Sequence, residues 1–264
     1  RHMALEHPVI LTGSASGIGD ATAKRLLDRG CKVISVDIKE PKQKVAEHHH
    51  CDMGDPAAID ALVKKLDGTY SSLLNVAGVP ESVGGDTCMA INFFGLRMLT
   101  DALFDRIADQ GTVVSVSSIA GNNWRKRRGP LSELLATEGF ETGMDWWRKN
   151  KDAVGTDPYT FSKEAVVVYT MALAGRGLTR GIRVNDVGPG PVDTPLLPAF
   201  TEFAGAETMK TMIGMAGRAA QPQDIAEALV VLAEGEMGWV NGHHLIVDGG
   251  MSAGFSAGWQ TAGK

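Results

Sequence analysis

Val9-Ile10-Leu11-Thr12, followed by Gly13-Ser14-Ala15-Ser16-Gly17-Ile18-Gly19, decides the fold. The apolar run reads as a short buried strand. The residues after the glycines, Asp20-Ala21-Thr22-Ala23-Lys24-Arg25-Leu26-Leu27, read as a helix. A strand, a tight glycine turn and a helix start follow one another. Unpaired N–H groups at a helix start attract anions, and glycines let a pyrophosphate come close. The spacing is T-G-x-x-x-G-x-G, not the commoner G-x-G-x-x-G. The next apolar strand, Val33-Ile34-Ser35-Val36, ends in Asp37. An acid about 20 residues beyond the glycines is where a ribose-binding carboxylate belongs. The stretch therefore implies a bound dinucleotide.

The chain has 264 residues, enough for one α/β domain with a substantial core. Its 26 basic and 31 acidic residues leave a net charge of −5, which argues against nucleic acid as a partner. No apolar run approaches the ~20 residues of a membrane span. No secretory apolar core precedes the first strand, so a cytoplasmic location is expected. Arg1 and His2 before Met3 read as an expression remnant. Cys31, Cys51 and Cys88 lack metal-type spacing and read as buried thiols in a reducing compartment. His48-His49-His50 invites a metal reading. Neighbouring strand residues point to opposite faces, however, so no metal site is expected.

Strand patterns fall at 9–12, 33–37, 45–51, 73–76, 113–117, 183–187 and 245–247. Helical patterns fall at 17–27, 56–66, 86–107, 158–173 and 222–234. Such alternation predicts a doubly wound parallel sheet of about seven strands with helices on both faces. Ligands then gather at the carboxyl ends of the strands. Only 14 residues, 38–51, separate Asp37 from Asp52, so the crossover helix there should be short or absent. The segment 121–157 interrupts the pattern and carries three of the five tryptophans, the pair Trp146-Trp147 among them. It also carries Arg125-Lys126-Arg127-Arg128, read as a solvated loop or an interface edge. With no linker or repeat, residues 3–264 read as one domain with an insertion at 121–157.

Tyr159 and Lys163 stand at i and i+4 and so share a helix face. A tyrosine acting as a base near neutral pH needs a positive charge beside it, and a lysine one turn away supplies one. Ser117-Ser118 ends an apolar strand, and Asn92 lies in an apolar helical context where a polar group needs partners.

Together these motifs resemble the short-chain dehydrogenase/reductase family across essentially the whole chain. The matches are T-G-S-A-S-G-I-G at 12–19, N-V-A-G at 75–78, N-F-F-G at 92–95, S-S-I-A-G at 117–121, Y-T-F-S-K at 159–163, N-D-V-G-P-G-P-V-D-T at 185–194 and V-D-G-G at 247–250. Val76 is a departure from the family's Asn-Asn-Ala-Gly. The short stretch after Asp37 and the long one between Ser118 and Tyr159 look most like the bacterial NAD-dependent 3α-hydroxysteroid dehydrogenase/carbonyl reductase group.

The resemblance implies a Rossmann-type fold and a catalytic set of Asn92, Ser118, Tyr159 and Lys163. It implies NAD held by Gly13, Ser16, Gly17, Ile18 and Gly19, with Asp37 and Ile38 at the adenosine ribose and Asp52 and Met53 at the adenine. Asn75, Ala77 and Gly78 would border that ribose. Tyr159, Lys163, Pro189, Gly190, Val192 and Thr194 would hold the nicotinamide end. The expected reaction interconverts a secondary alcohol and a ketone, with Tyr159 as general acid and base, Lys163 lowering its pKa, and Asn92 placing a water. Leu196-Leu197-Pro198-Ala199-Phe200, Phe203, Met209, Met212 and Met215 suggest an apolar lid for an alicyclic, terpenoid or steroid-like substrate. A β-ketoacyl-carrier reductase, or a non-catalytic dinucleotide sensor, are the alternatives. A homodimer or homotetramer is expected, more readily a dimer formed around 245–247.

Overall fold

The computed structural model describes residues 5–259. Seven parallel strands form one sheet: β1 (Val9–Thr12), β2 (Val33–Asp37), β3 (Glu47–His50), β4 (Tyr70–Asn75), β5 (Ile107–Val116), β6 (Arg183–Pro189) and β7 (His244–Val247). Their spatial order is β3-β2-β1-β4-β5-β6-β7. The order reverses between β1 and β4, and there the Thr12 hydroxyl accepts from the N–H groups of Val76 and Ala77 at 3.0 and 3.1 Å. This topological switch point opens the crevice in which such sheets bind ligands.

β1, β2, β4, β5 and β6 each feed two cores, because alternate side chains leave opposite faces. Val9 and Leu11 pack with Leu74, Val114 and Val187 against α1 (Gly17–Asp28) and α10 (Pro222–Ala233). Ile10, Leu73, Val113 and Val184 face the other core. That core includes α2 (Pro56–Lys65), α3 (Gly85–Met89), the π-helical turn Ala90–Gly95, α4 (Leu96–Leu103) and α7 (Pro158–Arg176). No helix forms between β2 and β3, as the short spacing predicts. His48 meets the Ser35 hydroxyl at 2.9 Å while His49 meets Glu47 at 3.1 Å, so the histidine run is split between partners.

Several predicted boundaries need correction, among them the starts of β4 and β5, which lie at Tyr70 and Ile107 rather than at 73 and 113. The pattern at 86–107 is not one helix: it passes through the π-helical turn, and β5 already begins at Ile107. Gly95 explains the tight packing there, since a Cβ on it would lie 1.8 Å from the Met53 carbonyl oxygen. The third strand is shorter than 45–51, and α7 runs on to Arg176.

The segment 121–157 opens within a 3-10 stretch, Ile119–Arg127, and goes on to build α5 (Arg128–Leu135) and α6 (Phe140–Asn150). It lies against α7 and the π-helical turn. Trp146 and Trp147 stack on Phe161 with centroids 6.2 and 5.8 Å apart, and the Trp147 indole N–H donates to Asp86 at 2.9 Å. Arg97 of α4 is buried and donates to the carbonyls of Leu134, Thr137 and Gly139, so the guanidinium caps the α5–α6 turn. The basic tetrad is not uniformly solvated. Arg127 pairs through two nitrogens with Glu164 of α7, which is wholly buried. A carboxylate placed there requires such a partner.

α8 (Leu197–Ala204) and α9 (Ala206–Ala216) rise over the carboxyl ends of the strands, and α11 (Met251–Ala257) packs on α9. Among the described residues, no helix is long and apolar enough to cross a membrane.

Candidate active site

The glycine turn is shaped by close approach. Gly13 has φ +69°, and a Cβ on it would lie 2.6 Å from the Ala77 nitrogen; one on Gly19 would lie 1.8 Å from the Gly13 oxygen. Side chains larger than hydrogen would push β1, β4 and α1 apart. No side chain caps the start of α1, where Ser16, Gly17, Ile18 and Gly19 line a cavity of about 640 Å³. At one end of the cavity lie Asp37, Ile38, Asp52 and Met53. At the other lie Ser118, Tyr159, Lys163, Pro189, Gly190, Val192 and Thr194, with Ala77 and Gly78 also in the wall. The Asp37 carboxylate is fixed: Ala15 N–H donates to one oxygen at 3.0 Å and Lys39 N–H to the other at 2.9 Å.

Two expected residues are absent from that wall. Asn75 is the last residue of β4 and turns inward. Its amide donates to Thr100 and Ser115 hydroxyls at 3.0 and 3.2 Å, so it braces β4 against α4 and β5. Asn92, in the π-helical turn, accepts from the Val79 N–H at 2.8 Å and donates to the Val79 carbonyl at 3.0 Å. It therefore clamps the strand end beyond Gly78. A Cβ on Gly78 would stand 3.4 Å from both the Asn92 oxygen and Lys163 Nζ, which places amide and ammonium side by side.

Tyr159 enters the site because α7 starts immediately before it. Asp157 caps the helix by accepting from the Thr160 N–H at 2.7 Å, Pro158 occupies the first turn, and Glu81 accepts from the Tyr159 N–H at 3.0 Å. Burial raises Glu81 above the usual carboxylate range, against the pull of that N–H. One turn on, Lys163 Nζ donates to the Val116 carbonyl at 3.1 Å and lies 5.7 Å from the Tyr159 ring centre.

Burial lowers Lys163 to about 8, opposed electrostatically by the neighbouring Cys88 and Asp186. Burial also raises Tyr159 above its ordinary value, while a hydrogen bond with Ser118 pulls it down. Desolvation of the phenol is the larger of these two effects in the dinucleotide-free chain.

The lid is as apolar as its sequence suggests. Leu196, Leu197, Phe200, Phe203, Met209 and Met212 line the cavity, and the Phe200 and Phe203 rings stand 5.1 and 6.5 Å from that of Tyr159. Pro198 and Ala199 fall on the other side of α8 and do not line it. Met215 also turns away, toward Gly254 of α11. Val79, Ile91, Ile119 and Ala120 also line the wall. Sequence reasoning missed them because nothing but the fold distinguishes them from other apolar residues.

A glycine-rich strand-end cradle, a fixed acid and a Ser-Tyr-Lys floor under an apolar lid define a dinucleotide-dependent oxidoreductase. The chain belongs to the short-chain dehydrogenase/reductase family, whose members use a nicotinamide dinucleotide. Residues 7–130 match the family model described as short chain dehydrogenase, and 143–252 match that described as Enoyl-(Acyl carrier protein) reductase. The chain is 32% identical to a coniferyl-alcohol dehydrogenase of Pseudomonas sp., over 93% of this chain and 96% of that one. It is 26% identical to the 3-alpha-hydroxysteroid dehydrogenase/carbonyl reductase of Comamonas testosteroni, over 93% and 96%. The crystal structure of the 3-alpha-hydroxysteroid dehydrogenase from Pseudomonas sp. B-0831, complexed with NADH, is similar at a TM-score of 0.77. It is 28% identical, over 94% of this chain and 98% of that one.

Proposed function

We propose that this protein is an NAD(H)-dependent oxidoreductase interconverting an apolar secondary alcohol and its ketone. The observation that carries the reading is the convergence of Ser118, Tyr159 and Lys163 where the glycine-rich cradle meets the apolar lid. The dinucleotide, when bound, supplies or accepts the hydride. The chain's own residues do the rest. The Tyr159 hydroxyl donates a proton to the substrate oxygen in reduction and takes it back in oxidation. The Ser118 hydroxyl donates to the same oxygen and stabilises the charge that develops on it. Lys163, held by the Val116 carbonyl, keeps a positive charge beside the phenol. Asn92 maintains the Val79 corner that forms the wall behind Lys163.

The choice of NAD over its phosphorylated analogue rests on Asp37. Its carboxylate is held by two backbone N–H groups and would repel a 2′-phosphate. The lid presents carbon and sulfur to the substrate, which suits an alicyclic, terpenoid, aromatic or steroid-like ketone. A β-ketoacyl-carrier reductase is the second reading, favoured by the exposed Arg125, Lys126 and Arg128 and opposed by Asp37.

Residues 3–264 are read as one domain, working in the cytoplasm as a homodimer or homotetramer; three buried free thiols fit a reducing compartment. The segment 121–157 covers the α4 and α7 side, which directs association to the region of β7, near the fully exposed Trp239. Light scattering on the intact protein tests the assembly, and a monomer would sink it. Reduction of NAD+ across a panel of secondary alcohols tests the activity. Turnover should fall as polar groups are added to the alcohol. Activity confined to carrier-bound ketoacyl substrates would overturn the assignment.

A further inference from the structure

Resting on the roles given above to Ser118 and Lys163, we propose that Asp186 and His244 are positioning residues for the hydride-transfer site. They hold the Val116-Ser117-Ser118 strand end in place and tie it to the start of the 121–157 segment through Asn122.

Asp186 lies in the middle of β6, wholly buried, between the register partners Ser115 of β5 and His244 of β7. An apolar side chain would serve the sheet better there, because burying a carboxylate is costly unless several donors meet it. One of its oxygens receives two donors. The Ser117 hydroxyl and His244 Nδ1 both reach Asp186 Oδ1. A carboxylate oxygen only accepts, so His244 carries a proton on Nδ1 and donates it. The other ring nitrogen, Nε2, meets the side-chain amide of Asn122 at 2.8 Å. Gly188 makes room for the ring: a Cβ there would lie 2.6 Å from His244 Cε1.

These contacts join three parts of the site. The strand end holds Lys163 through the Val116 carbonyl, Asp186 through the Ser117 hydroxyl and the substrate oxygen through Ser118. Ser117 is further fixed by its N–H, which donates to the Val187 carbonyl at 2.8 Å. Asn122 lies four residues beyond Ser118, so the imidazole bridges β6 to the first turn of the segment that covers α7. The Asp186 charge also reaches Lys163, where it opposes the effect of burial. The second oxygen, Oδ2, is buried without a hydrogen-bond partner, so the carboxylate depends on Ser117 and His244. The cluster is not a hydrolytic triad. Ser117 is 2% exposed, its hydroxyl reaches the acid, and Nε2 is taken by Asn122.

The test compares His244→Leu with His244→Asn, whose amide nitrogen can stand where Nδ1 stood. Steady-state alcohol oxidation at saturating NAD+ gives kcat and KM, and fluorescence titration with NADH gives the dinucleotide affinity. His244→Leu should lower kcat by between about ten- and a hundredfold, the scale expected when a reacting group is misplaced by about an ångström. NADH affinity should stay at the wild-type value, and His244→Asn should restore most of kcat. Wild-type kcat in His244→Leu, or loss of NADH affinity by the same factor as kcat, would overturn the proposal. Should His244→Leu not fold, nitrogen-edited NMR of the wild-type imidazole still decides. A protected proton on Nδ1, bonded to oxygen, is expected, and its absence overturns the pair. This readout needs no turnover. Activity retained in Tyr159→Phe would sink the proton path alone, so the two failures are distinguishable.

Discussion

Replacing Lys163 by methionine should make the dinucleotide-free protein more stable near pH 7 while abolishing its activity. Lys163 is 5% exposed and its ammonium has a hydrogen bond to the Val116 carbonyl at 3.1 Å. Burial takes its pKa from 10.5 to about 8, so below pH 8 the folded chain carries a charge that the unfolded chain solvates better. The difference is worth about 3 kcal/mol. Methionine keeps an unbranched stem of similar length and removes the charge, at the loss of one hydrogen bond worth about 1 kcal/mol. The net gain expected at pH 7 is therefore about 2 kcal/mol. Between pH 8 and 10.5 the folded wild type sheds a proton that the unfolded chain retains, so wild-type stability rises with pH across that window. The advantage of Lys163→Met should accordingly shrink and vanish by about pH 10. Guanidinium unfolding at pH 7 and pH 10, at equal protein concentration, measures both numbers. A variant less stable than wild type at pH 7, or a gap that does not change between the two pH values, would refute the reasoning.

Tyr159→Phe keeps the ring but removes the hydroxyl, so turnover should be almost lost while NADH binding, read by fluorescence, is kept; retention of most turnover would exclude the proposed proton path. Asp37→Ala removes the charge opposed to a 2′-phosphate, and the ratio of kcat/KM for NAD+ to that for NADP+ should fall; comparable efficiency with both cofactors in the wild type would refute the assignment. Glu164→Gln leaves Arg127 without its carboxylate in a largely buried place and should cost about 3 kcal/mol in denaturant unfolding. An unchanged midpoint would show that the pair contributes nothing net.

The cradle was legible because its requirement is local. Gly19 is demanded by a backbone contact with Gly13 inside one strand-turn-helix, Gly13 takes a positive φ in the same turn, and Asp37 ends the adjacent strand; only the approach of Gly13 to Ala77 is long-range. The Tyr159–Lys163 pair was legible for the same reason, being one helical turn. What escaped depended on partners far along the chain. Arg127 looked like any residue of a solvated run, because Glu164 stands 37 positions away. Arg97 sits in a helix whose pattern says nothing of the α5–α6 turn that its guanidinium caps. Asn75 belongs to the N-V-A-G motif, yet the wall is made by Ala77 and Gly78, beyond the strand. The burial of the Tyr159 phenol beneath the Phe200 ring escaped as well, since spacing does not carry that information.

The π-helical turn at Ala90–Gly95 can be seen as a single extra residue accommodated without breaking the helix. A regular helix advances about 100° per residue, so forcing these same residues into unbroken α geometry would rotate everything on one side of the turn by that angle. Asn92 would then swing off Val79 while α4 stayed packed beneath the Met53 carbonyl at Gly95. The helix would gain regular hydrogen bonding and lose the alignment between its two ends. This turn therefore works as an angular shim: it lets one continuous helix satisfy the core at its far end and the wall of the active site at its near end. A loop of the same length would not hold that angle.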